Sequence, residues 1–170
     1  MTLQKQGANY DNQIAKQILR STPDYIQAVP TRGSGNTVGH HADVLVRTPS
    51  VDHAVELKKA SWATGDRNAI ADEDDLRELA GCINWYTQAW FGISMSNRQL
   101  MLAGPISGRN VDWEDVGLAL ERDIPDAFEP TFTESGYLRV TKTGTDQWPS
   151  AQAGKSDVDV LLDELLLDRA

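Results

Sequence analysis

Apolar residues recur with two different periods along the first third of the chain, and the change between them marks the elements. Ile14, Ala15, Ile18 and Leu19 fall at i, i+1, i+4 and i+5, which predicts a short helix over 10–21 with one apolar face; Pro23 lies just beyond its end. "YIQAVP" (25–30) alternates as a strand does. "TRGSGNTVGHH" (31–41) has no apolar period and reads as a Gly-rich loop. "ADVLV" (42–46) and "HAVELKK" (53–59) are two further strands, with "RTPSVD" supplying the turn between them.

The pattern lengthens after an irregular stretch, "ASWATGDRNAIA" (60–71). Asp72 is placed to N-cap a helix over 73–90, with Leu76, Leu79, Ala80, Ile83 and Tyr86 as its buried stripe and an acidic first turn that suits the helix dipole. Trp85, Tyr86 and Trp90 lie on or near that stripe and read as core or dimer interface. "WFGISMS" (90–96) and "QLMLAGP" (99–105) form a hairpin around Ser96-Asn97-Arg98, and 107–130 reads as a loop with a short helix over 113–122. "GYLRVTKT" (136–143) is a last strand. The expected division is a domain over 1–146, a linker over 147–156 and an acidic amphipathic tail helix over 157–170. The order α-β-β-β-α-β-β predicts an α/β domain with a mixed sheet flanked by helices.

Length and composition agree with one domain of 170 residues, 40% apolar and 24% charged. No apolar run approaches the ~20 residues of a membrane span. "MTLQKQGANYDNQ" is polar and lacks the apolar core of a secretory signal, so the expected compartment is cytoplasmic. The lone Cys82 excludes an internal disulfide framework or a Cys-based zinc site within one chain.

Charge changes the picture. A net charge of −9 argues against a nucleic-acid partner, because phosphate binding needs cationic surface. Acidic surfaces are, however, usual in halophilic cytoplasm, where salt shortens the Debye length. The acid is also segregated: "DEDD" (72–75) and "DVDVLLDELLLD" (157–168) hold much of it, whereas 1–71 carry Lys5, Lys16, Arg20, Arg32, Arg47, Lys58, Lys59 and Arg67.

The candidate chemistry sits in the strand pair. Glu56 and Lys58 share one strand face while Val55 and Leu57 take the other, and a paired hairpin brings Asp43 beside Glu56. Two close carboxylates stay ionised only if a cation neutralises them, and carboxylate oxygens with water to spare suit Mg²⁺ or Mn²⁺. Such a metal polarises a phosphoryl oxygen and acidifies bound water, and Lys58 can stabilise the charge that develops. An E-x-K tripeptide alone fits equally a strand face that carries a salt bridge. The upstream Asp, the helix and the Gly/Ser loop before it weigh against that reading.

Together, Asp43 and "Glu56-Leu57-Lys58" resemble the core of the PD-(D/E)XK nucleases. "NYDNQIAKQIL" with Asp11, "VPTRGSG" with Arg32 and Ser34, "AWFGISMS" and "ESGYLRV" make the chain similar to archaeal Holliday junction resolvases in particular. The resemblance implies a restriction-endonuclease-like fold and a homodimer that nicks four-way junctions symmetrically, recognising branched DNA by shape through phosphate contacts. It implies a metal held by Asp43, Glu56 and the Leu57 carbonyl, with Asp11 as a further candidate metal ligand, Lys58 assisting the attacking water, and Asp11 and Ser34 supporting the site. Arg32, Ser34, Arg47 and Lys59 are the expected phosphate contacts, with Trp62 and Arg67 nearby. The chain departs from the family pattern where Ala42 replaces the usual Pro, Asp11 the usual Glu and Asn12-Gln13 the usual charged pair, and in the His40-His41 pair just before Asp43.

Other readings stay open. Another nuclease of the same fold, or a catalytically weakened DNA- or protein-binding member, fits the same residues. His41 either supports a hydrogen bond near the metal or is polar loop, as His40 is, and His53 reads as a strand-start cap. The tail helix either docks on its own domain, packs in a dimer or binds a protein partner in a groove.

Overall fold

Two faces of one sheet need cover, and four helices supply it. The computed structural model describes residues 3–30, 42–59, 68–95, 99–123, 128–132, 137–142 and 155–170. Helix α1 (Leu3–Ser21) leads into strand β1 (Gln27–Pro30), followed by β2 (Val44–Arg47) and β3 (Asp52–Lys59). β4 (Asn68–Asp72) runs directly into α2 (Glu73–Gly81); β5 (Thr87–Met95), β6 (Gln99–Ile106) and α3 (Trp113–Asp123) come next. β7 (Phe128–Phe132), β8 (Tyr137–Lys142) and α4 (Asp157–Glu164) complete the order.

The main sheet has five strands in the order β1-β2-β3-β5-β6, antiparallel except for the parallel β3–β5 pair, and is mixed as expected. A smaller sheet, β4-β8-β7, stands beside it. The β2–β3 turn is tied by Thr48, whose Oγ1 donates to the Val51 carbonyl at 2.7 Å and accepts from the Val51 N–H at 3.1 Å. That turn fixes the register Val44 opposite Val55.

Strand alternation then divides β3 between two cores. Val55 and Leu57 pack with Ile14, Ala15 and Ile18 of α1 and with Val158, Val160, Leu161 and Leu162 of α4. Ala54 belongs to the other face, with Leu76 and Leu79 of α2 and Val116 and Leu120 of α3. Gly92 of β5 sits opposite Leu57, and a Cβ there would meet Leu57 Cδ2 at 2.8 Å. Glycine in "WFGIS" is the cost of that close approach.

Several expectations are corrected. The helix expected over 73–90 stops at Gly81: Asn84 bridges Thr87, and its side chain accepts from the Tyr86 N–H at 2.8 Å, a turn that launches β5. Trp85 and Tyr86 are consequently exposed, at 75% each, and Trp90 is buried on a strand. The stretch 60–71 contains the start of β4, and 128–132 is a strand. α1 begins earlier than expected, and its Leu19 faces outward; Asp11 lies on the buried stripe, and Thr22, just past the helix end, is buried as well. His53 does not cap a strand start but is buried on β3, where its Nδ1 accepts from Trp90 Nε1 at 3.0 Å.

The C-terminal helix docks on its own domain. Ser156 caps α4 by accepting from the Asp159 N–H, and Asp157 receives hydrogen bonds from Tyr10 of α1 and Ser94 of β5. Leu165 and Leu167 are buried beyond the helix end, and the Ala170 N–H reaches the Ser21 carbonyl at 3.0 Å. Of the tail's large apolar residues only Leu166 is left exposed, at 86%. No helix among the described residues is long and apolar enough to cross a membrane.

Candidate active site

Glu56 and Lys58 alternate with the apolar pair Val55 and Leu57, so they project toward the α2–α3 side of the sheet. Asp43, just before β2, extends the strand toward them. Its Oδ2 accepts a 2.8 Å hydrogen bond from the Leu57 N–H. Asp43 and Glu56 are 5% and 4% exposed, buried carboxyls on neighbouring strands.

Electrostatics there oppose ionisation of Glu56. Burial is the largest cause, followed by the Asp43 charge, and a direct hydrogen bond between the two carboxyls adds to it; Glu56 is held well above the usual carboxylate range. Lys58 acts the other way. Its ammonium is 3.5 Å from Glu56 Oε1 and 2.7 Å from Asp75 Oδ2. Burial pushes Lys58 down, but Glu56, Asp75 and Asp43 outweigh it and raise it above its ordinary value.

Asp75 escaped sequence reasoning. "DEDD" was legible only as an acidic first helical turn, and nothing local says which of its four acids turns toward β3. The available signal was four acids in a row close behind an E-x-K strand. Cys82, at the end of α2, stays a neutral thiol: burial first, then the charges of Glu56 and Glu78, push it up to about 11.

The donor set suits a hard divalent cation. Two buried carboxyls side by side would be relieved by a cation between them, and oxygen donors without thiolate fit Mg²⁺ or Mn²⁺. Among the described residues no three His, Cys, Asp or Glu side chains form a protein-only metal cage. Two carboxylates with the remaining positions left to water and phosphate oxygens are how Mg²⁺ is usually held.

The other expected site residues are placed differently. Asp11 is 1% exposed on the α1 face that carries Ile14 and Ile18, the side of the sheet opposite to Glu56. Arg47 lies at the turn end of β2, about 13 Å along the strand from Asp43, and is 4.0 Å from Asp52. Lys59 ends β3, and its side chain lies outside the described residues, as do Arg32, Ser34, His40, His41, Trp62 and Arg67.

Comparison with known proteins adds little. No family model matches the sequence, and no curated protein does. Among solved structures, Hjc of Archaeoglobus fulgidus, a Holliday junction resolvase from an archaeal hyperthermophile, aligns with a TM-score of 0.46 and 11% identity, over 78% of this chain and 85% of its own.

Proposed function

We propose that the protein is a divalent-metal-dependent endonuclease acting on branched DNA, four-way junctions in particular. The observation that carries this reading is the buried Asp43–Glu56 pair, two carboxyls side by side, with the Lys58 ammonium 3.5 Å from Glu56 Oε1. Stability alone gives no reason to bury like charges together, since doing so costs free energy that a cation must offset.

In this reading Asp43, Glu56 and the Leu57 carbonyl hold Mg²⁺ or Mn²⁺. The Leu57 N–H points at Asp43, and a strand residue's carbonyl leaves from the same edge as its N–H. When bound, the metal supplies Lewis acidity toward a phosphoryl oxygen and acidifies its water. Asp43 is oriented by the Leu57 N–H, which fixes one of its oxygens. Lys58 donates toward the negative charge that builds on the phosphate, in a site the sheet and α2 shield from water. Ser34 and Arg32 of the Gly-rich loop, together with Lys59, contact the DNA phosphates; Arg47, at the far end of the hairpin, contributes least. A two-fold homodimer would present two such centres to the two equivalent strands of a junction.

Labelled four-way junction and linear duplex of the same sequence, each incubated with Mg²⁺ at low and molar salt, test the substrate. Paired symmetric nicks in the junction alone are expected. Equal cutting of both would make the protein a general nuclease, and binding without cutting would make it a binding member of the fold.

A further inference from the structure

The closest partner of Lys58 is not its motif neighbour. Its ammonium is 2.7 Å from Asp75 Oδ2 and 3.5 Å from Glu56 Oε1, so the shorter contact runs to α2 rather than along β3. We infer that Asp75 is the positioning residue that holds Lys58 for the reaction at Asp43 and Glu56. The inference rests on the nuclease reading above and adds to it a residue from a different element.

Asp75 is well mounted for this. It lies in the first turn of α2, where the helix dipole favours a negative charge. The next residue, Leu76, is fully buried, as is Leu79 one turn on, so α2 is pinned to the core beside the carboxylate. Lys58 and Asp75 side chains are 17% and 27% exposed, shielded enough for the pair to outlast the screening that weakens surface ion pairs.

The need for such a residue follows from charge. A cation at Asp43 and Glu56 draws both carboxylates to itself and repels the neighbouring ammonium. Glu56, already the longer contact, is then poorly placed to hold Lys58. Asp75 remains. With all groups ionised, three carboxylates against one ammonium leave two negative charges over, which a divalent cation balances; without Asp75 the loaded site would carry surplus positive charge. Asp75 is assigned to Lys58 and not to the metal because no three-acid cage forms among the described residues.

Two readouts on Asp75→Asn and Asp75→Glu test this. The first needs no activity: in ¹⁵N-lysine-labelled, Mg²⁺-loaded protein, a held ammonium gives a slowly exchanging Nζ signal, assigned through its loss in Lys58→Arg. That signal should be present in the wild type, lost in Asp75→Asn and regained in Asp75→Glu. A signal retained in Asp75→Asn overturns the inference. The second is single-turnover cleavage of junction DNA at saturating protein and Mg²⁺. Asp75→Asn should lower the rate about 10- to 100-fold with little change in DNA affinity, and Asp75→Glu should recover most of it. An unchanged rate, or a loss that follows only a fall in Tm and is not rescued by Glu, also overturns it. A wild type that cuts no DNA while the Nζ result holds would instead overturn the nuclease reading.

Discussion

Asp43 Oδ2 accepts a 2.8 Å hydrogen bond from the Leu57 N–H, so the two acid-bearing strands are tied together beside the acids themselves. The bond crosses between strands just beyond the last paired residues, Val44 and Val55, and fixes where the Asp43 carboxylate points. Asp43→Ala should therefore do two things: remove a proposed metal ligand and leave a buried N–H without its acceptor. The second is worth about 1–3 kcal/mol of stability. Asp43→Asn keeps an acceptor, so it should lose cleavage with a smaller fall in denaturant midpoint than Asp43→Ala; equal falls would count against the bond.

Glu56 gives a prediction of opposite sign. Its folded-state proton affinity is raised by burial and by Asp43, so its ionised form costs stability in metal-free protein at neutral pH. Glu56→Gln should therefore raise the Tm of metal-free protein by a few degrees, about 2–4 °C per kcal/mol for a chain of this size. In the wild type, stability should rise as pH falls through the raised Glu56 value, and that gain should vanish in the variant. Mg²⁺ should stabilise the wild type and not the variant. Thermal scans with and without Mg²⁺ check all three.

His53 moves in the other direction with acid. Burial lowers it from 6.5 to about 4, so the unfolded chain takes up a proton before the folded one does. Its contribution is complete above pH 6.5 and is lost as pH falls from 6.5 toward 4, on the order of 3 kcal/mol. His53→Gln, whose amide oxygen can still accept from Trp90 Nε1, should flatten that limb in urea titrations between pH 7 and 4. An unchanged limb would show that His53 takes up its proton equally in the folded and the unfolded chain.

Docking of α4 predicts that the C-terminus is part of the core. Leu161 is 1% exposed between α1 and the sheet. Leu161→Ala should cost about 2–5 kcal/mol in chemical denaturation. A cost below 0.5 kcal/mol would mean that the helix is peripheral to folding.

The same helix shows what the sequence makes legible and what it does not. "DVDVLLDELLLD" announces an amphipathic helix by its period, but a period says only that one face seeks cover. Tyr10 and Ser94, which receive it at Asp157, are distant in sequence and carry no mark of that role. For the candidate site, strand alternation placed Glu56 and Lys58 on one face, and the hairpin turn brought Asp43 to them; both are local properties. Asp75 depended on how α2 crosses the sheet. The overlong helix over 73–90 failed because Ile83 and Tyr86 continued the apolar period, while the Asn84 side chain made a turn that the period does not encode.

The central claim is that Asp43 and Glu56 hold a catalytic divalent cation. It is tested most directly by incubating four-way junction DNA with wild type and Glu56→Gln in Mg²⁺, and with wild type in EDTA, after confirming that both proteins are folded. Cutting by the wild type in Mg²⁺, none in EDTA, and a loss of at least about 100-fold in Glu56→Gln are expected, as when a group essential to transition-state stabilisation is removed. Cutting in EDTA, or wild-type rates in Glu56→Gln, would contradict it.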